Sequence, residues 1–398
     1  MKPFLVTVTA LAALAASTGT SAQAPASQAP ATPQVSAKAK PAIAALQKAV
    51  NANDKASIPS LLAAAQAAAQ TREDRWFIGE LQLKAAIAAG DVAGQTNAVD
   101  AIVATGIPTP DRASQLYKGL ASGLYNNKQY AQAAVLFEKA TKANPADDEA
   151  LTLLGQSMLL GGRQADAVAV MQRAIQAASS GGRKADENLY RVAVQAAFEA
   201  KSPQAADIAR QWLTAYPSPD SWRNTLIIYR NSAQLDDEGT LALLRLMNAT
   251  GGLKNAADYN AYIKGLIVQS NFNEAHAVLD QAIAAKAIDA SSADAAAVAG
   301  KPKASAADLA AAAKTAPSGA SLFKIADRYY GLGDYAQAAE LYRQTKGRGV
   351  DAATADLYTG IALARAGDKA GARTALTSVA GPRAGVAQYW LLYLDQQR

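Results

Sequence analysis

The 398 residues are 50% hydrophobic but only 6% aromatic, so alanine supplies most of the apolar content. That composition argues against the thick core of a sandwich or barrel and for a thin stack of closely packed helices. The absence of cysteine removes disulfides and thiol chemistry, and the net charge of +6 comes without the clustered basic and aromatic residues that nucleic acid requires.

The chain opens with Lys2, the apolar run Phe4 to Ala16, and then small and polar residues to Ala24. A run of 13 residues is short for a membrane span and suits a secretory signal peptide. Cleavage is expected after Ala22, giving a signal peptide over 1–22, because cleavage after Ala24 would leave Pro25 at the new terminus. With no cysteine to carry a lipid, the exported product is expected to be a soluble periplasmic protein. Residues 23–40 are rich in Pro, Ala, Gln and Ser without periodicity and read as a disordered linker.

Helical periodicity begins at Pro41, with Ile43, Leu46 and Val50 on one face. A hairpin follows over Trp76 to Ala104, broken at Gly90-Asp91 and ended by Pro108 and Pro110. The clearest unit runs from Ser114 to Asp147. Its apolar residues Tyr117, Leu120, Ala121, Leu124, Ala133, Phe137 and Ala140 flank the polar break 126–129, and Pro145 closes it. This is a helical hairpin of 34 residues, with apolar places 4, 7, 8, 11, 20, 24 and 27 and proline at 32. The same register continues over 148–181, with Gly155 as the small residue where two helices touch. A four-residue insertion, Gly182 to Ala185, delays the next copy to 186–219 and is expected in a loop.

From Asp220 the frame degrades into two helices, the second capped by Asp236 or Asp237 and ended by Gly251-Gly252. A further copy spans 256–289, completing a solenoid over 41–289. The alanine-rich 290–318 reads as a weak hairpin or a connector. A C-terminal pair over 319–398 ends in a helix, Val386 to Leu394, whose large apolar residues suit a cover for the end of the stack.

The 34-residue pattern resembles the tetratricopeptide repeat (TPR) family. The segments LDDEGTLALLRLMNATGG and GPRAGVAQYWLLYL also resemble bacterial exported TPR proteins without an assigned activity. The resemblance implies an all-α, right-handed α-solenoid of TPR-like hairpins that holds a protein or peptide in the concave groove lined by the first helix of each repeat. Carried onto this chain, it places Gln115, Lys118, Ser122, Tyr125 and Asn126 in that groove. Glu149, Thr152, Gln156 and Leu159 follow from the next copy, then Glu187 and Tyr190. The family's carboxylate-clamping groove matches at Lys118 but departs at Ser122 and Leu153, where asparagines are expected, so clamping of that type is not expected.

No catalytic, cofactor or metal site emerges from the residues. His276 is the single histidine, which leaves no partner for a zinc site of the usual kind or for a Ser-His pair. Asp147-Asp148-Glu149 and Asp236-Asp237-Glu238 precede helices, where capping and the helix dipole account for them. The pairs Gly181-Gly182 and Gly251-Gly252 lack the spacing of a phosphate loop. From Lys301 to Arg398, 13 basic residues face 8 acidic ones, which suits an anionic partner or a solvated convex face. The expected function is an exported, non-enzymatic scaffold for an envelope protein or peptide. A carboxylate-based glycan hydrolase, and a self-associating structural protein, are its rivals.

Overall fold

The structure, a computed structural model, describes residues 34–397. The expected signal peptide and residues 23–33 of the expected linker lie outside the described residues. The described chain is all-helical, with 21 α-helices, one short 3-10 helix and no strand. It divides into two compact units at Pro108.

The first unit contains α1 (Lys40–Asn51), α2 (Ile58–Ala68), α3 (Arg72–Ala89) and α4 (Val92–Ala104). Ile43, Leu46, Val50, Ala65 and Ile78 form its core. Chain expected as linker is held in place here. The Ser36 amide and hydroxyl each donate to the Asp74 carboxylate at 2.8 Å, and Ala39 is fully buried. The amides of Gln70 and Thr71 donate to the same carboxylate at 2.9 and 3.1 Å. Asp74 thus closes the capping box of α3 with Thr71 and ties down the segment before α1. Burial alone would raise the Asp74 carboxyl, but the donors from Gln70, Ser36 and Thr71 outweigh it and hold it well below the ordinary carboxylate range.

The second unit begins with α5 (Pro110–Asn126) and α6 (Tyr130–Ala143), α7 (Asp148–Leu160) and α8 (Gln164–Ser180), and α9 (Glu187–Glu199) and α10 (Ala205–Ala215). Each pair is an antiparallel hairpin packed on the next. The expected frame residues Tyr117, Ala121, Leu124, Ala133, Phe137 and Ala140 are buried. Gly155 sets the close approach of α7 to α8, because a Cβ there would lie 2.7 Å from Met171 Cγ. The insertion is a loop, as expected. It turns at Gly182 (φ +71), Arg183 reaches Asp148 at 2.7 Å, and Lys184 donates to the Ala215 carbonyl.

The remainder of this unit comprises α11 (Pro219–Ser232), α12 (Asp237–Ala249), α13 (Ala256–Val268), α14 (Phe272–Ala284), α15 (Ala293–Ala299), α16 (Ala306–Lys314), α17 (Gly319–Leu332), α18 (Tyr335–Thr345), α19 (Ala352–Ala366), α20 (Lys369–Thr377) and α21 (Ala384–Gln396). Asp236 caps α12 through the Gly239 amide at 2.8 Å. The alanine-rich stretch 290–318 forms two short helices, with α15 packed on α14 and α16 on α17. Helices α14 and α17 meet directly, because Gly331 leaves no side chain between them; a Cβ there would lie 2.7 Å from Glu274 Cα.

This half departs from the expected row of hairpins. Helix α12 is buried at every residue from Leu241 to Met247 and packs against α11, α13, α19 and α21. A helix that is apolar all round must be enclosed. The final helix packs on α20 of the last hairpin and also folds back against α12. Trp390 is fully buried and donates its indole N–H to the Ala242 carbonyl at 3.1 Å, while Trp222 donates to Gln396 at 3.0 Å.

The exception on α12 is Arg245, whose side chain is 0% exposed. Its Nε and Nη2 donate to the two oxygens of Glu274 at 2.9 and 2.6 Å, and Nη2 also reaches Asp327 at 2.9 Å. The Tyr330 ring lies 3.9 Å from the guanidinium. Tyr262 donates to Glu274, and Tyr342 donates to Asp327. Burial opposes the charge on Arg245, but the carboxylates and Tyr342 outweigh it and raise its pKa, whereas burial pushes the Asp327 carboxyl up.

Removing the cation leaves two carboxylates buried without it, so Arg245→Met is expected to cost about 3–5 kcal/mol. A urea titration checks this, and a shift below about 1 kcal/mol would show that the cluster does not hold the fold. For the first unit, Asp74→Asn should be less stable than the parent at about pH 7. A depressed carboxyl contributes stability above its unfolded value of 3.8 and loses it as pH falls further, so the gap in melting temperature should close in acid. A gap independent of pH would remove Asp74 as its source.

Candidate partner-binding groove

The first helices of successive hairpins, α5, α7, α9 and α11, line two adjacent hollows within the second unit, which together form a candidate groove. Tyr125 of α5, Gln156, Leu159 and Leu160 of α7, and Val192 and Gln195 of α9 line a hollow of about 470 Å³. Gln195 also borders a second hollow of about 430 Å³ between α9 and α11, where Val194, Phe198 and Ile227 surround Trp212. The walls are largely apolar. Leu160 and Phe198 remain 53% and 46% exposed, unusual for side chains of this size at neighbouring positions.

The local sequence explains the geometry. Asp147 caps α7 through the Ala150 amide at 2.9 Å and accepts from the Ser114 hydroxyl at 2.7 Å, fixing α7 against α5. Asp186 caps α9, and Ser218 caps α11 with Pro219 in its first turn. Trp212 is 2% exposed and donates to Glu187 at 3.2 Å, which sets the floor between α9 and α10. Arg223 holds α11 to α13 through paired bonds to Asp258 at 2.9 and 3.1 Å.

Tyr125 and Gln156, both expected in the groove, come together there with Leu159. Lys118 is engaged instead with Asp147 at 2.9 Å and Glu149 at 2.7 Å. Burial would lower its pKa, but those two carboxylates raise it, so its charge is neutralised within the chain. The Ser122 hydroxyl donates back to the Lys118 carbonyl at 2.8 Å. Gln115 and Asn126 are exposed. Tyr190 does not line the groove. It is 3% exposed, lies edge-on to Tyr216 with ring centres 6.0 Å apart, and faces the cleft between α8 and α10. A ring that large is better buried against Tyr216, whose hydroxyl is already anchored on the Ala185 carbonyl at 2.9 Å.

Leu160 and Phe198 were missed residue by residue, yet the repeat frame carries their signal. Place 13 of successive copies reads Asn126, Leu160 and Phe198, and Val268 holds the same place later, 75% exposed. Large apolar residues at a helix's solvent end in three of these four copies are the readable mark. The other candidate groups have internal partners. The His276 ring sits 2.9 Å from the Lys301 carbonyl, and Arg383 pairs with Asp236 and Asp351. Among the described residues no group of three metal-ligating side chains occurs.

The tetratricopeptide repeat family model TPR_16 matches residues 118–182 and 323–386. These segments contain the hairpins around α5 to α8 and α17 to α20, the same pairs whose buried residues follow the 34-residue frame. These two stretches are thus similar to tetratricopeptide repeats, within a described chain that is all-helical and consistent with an α-solenoid. No curated protein sequence matches it. Among solved structures, it is similar to a tetratricopeptide repeat protein from Parabacteroides merdae, at 8% identity over 73% of this chain and 99% of that one, with a TM-score of 0.29. It is also similar to Pseudomonas aeruginosa pilF, at 12% identity over 73% and 100%, with a TM-score of 0.25. Superpositions this loose bear on neither fold nor function.

Proposed function

We propose that this protein is an exported, non-enzymatic scaffold that captures an apolar segment of a protein or peptide partner in the groove of α5, α7, α9 and α11. The observation that carries this reading is the pair of adjacent hollows with Leu160 and Phe198 left in water at their edges. A partner that covers these side chains recovers the hydrophobic free energy the free chain forgoes. The N-terminal pattern of Lys2, Phe4 to Ala16 and Ala22 supports export to the periplasm. No described helix is long and apolar enough to cross a membrane.

Leu160→Glu combined with Phe198→Glu tests the groove, since both positions are already exposed. In an in-cell crosslinking pull-down, the double variant is expected to lose a partner that the parent retains, with its helicity and melting temperature unchanged. Equal retention by both proteins would overturn the groove.

A further inference from the structure

The ionic cluster around Arg245 does not fill the space between its helices. A cavity of about 170 Å³ remains beside it, bordered by Arg245 and Glu274 and extending to Tyr335 and Arg365. The two arginines differ in their partners. Arg245 is gripped by two carboxylates, whereas Arg365 lies with its guanidinium 5.1 Å from the Tyr335 ring centre and donates to that neutral hydroxyl at 3.2 Å. Its Nε–H is buried and has no acceptor.

A buried donor without an acceptor costs about 1–3 kcal/mol, more when it belongs to a charged group. What a ligand in the cavity would answer is the charge, since no carboxylate pairs with Arg365 among the described residues. Aromatic walls from Tyr330 and Tyr335 stand edge to face with centres 4.9 Å apart, and the amides of Asn248 and Gln281 border the same space. A cavity of roughly 150 Å³ holds a molecule of about six non-hydrogen atoms. A guanidinium without a carboxylate partner at the edge of such a space selects a planar oxyanion, because a fork of N–H donors matches a carboxylate.

We propose that this cavity binds a small carboxylate of about six non-hydrogen atoms, with its carboxylate on Arg365 and its body against Tyr330 and Tyr335. Glu274 borders the cavity too, so an α-amino acid would set its ammonium group there while a hydroxy acid would not. The site is separate from the groove, and its ligand would link α12, α14, α17, α18 and α19.

Titration calorimetry on the mature chain with L-lactate, L-alanine and the neutral isostere lactamide tests the assignment. Lactate or alanine should bind while lactamide does not, and preference for alanine would identify the amino acid as the source of the carboxylate. Arg365→Met should weaken binding by roughly tenfold or more, the worth of a hydrogen bond to a charged group. Asn248→Phe, which extends a ring into the cavity from α12 and leaves Arg365 in place, should also abolish it, with each variant melted without ligand as a folding control. No binding of either carboxylate up to about 10 mM, equal binding of lactamide, or unchanged affinity in both variants would overturn the proposal.

Discussion

A guanidinium taken out of water must be met on every side, and Arg245 is met by four helices. Glu274 brings α14, Asp327 and Tyr330 bring α17, Tyr342 brings α18, and Tyr358, 5.1 Å away, brings α19. Desolvation makes such a cluster a poor source of net stability compared with apolar packing. Its strength is that only one mutual arrangement of the helices satisfies it, which is the specificity a stack of small alanine contacts cannot impose. Gly331 complements it sterically, bringing α17 close enough to α14 for Asp327 and Glu274 to share one cation.

The groove depends on that closure through α11. One side of this helix gives Asn224 and Ile227 to the groove. Trp222, on another side, bonds to Gln396, and its ring approaches Tyr393 of the returning helix α21. Arg223 extends the anchorage to α13 through Asp258. The last wall of the groove is therefore set by residues far along the chain, while its first walls are set locally by the caps Asp147 and Asp186.

Local order was legible and closure was not, for the same physical reason. Periodicity reports which face of a helix is buried, so hairpins with one buried face, such as Ser114 to Asp147, announce themselves. The run Leu241 to Met247 has no polar face to give a phase, and its meaning, enclosure from all sides, is visible only when the enclosing helices are present. Within the groove, Tyr125 and Gln156 followed from the frame, and Leu160 and Phe198 were readable from place 13. Tyr190 was misread because frame position cannot register the competing offer of Tyr216, which the insertion brings into range through Ala185. The linker boundary failed similarly, since the hold of Asp74 on Ser36 spans 38 residues.

The enclosure of α12 also bears on the order in which the chain can be built. A row of hairpins can form copy by copy as the chain emerges, each stabilised by the neighbour just completed. Helix α12 cannot, because its partner Trp390 lies 148 residues further on. Until α21 arrives, the stretch from Leu241 to Met247 is an exposed apolar surface in an unfinished domain, the kind of species on which folding stalls and chains associate. The second half of the molecule therefore has the slower route to its native state and the greater need of protection on the way.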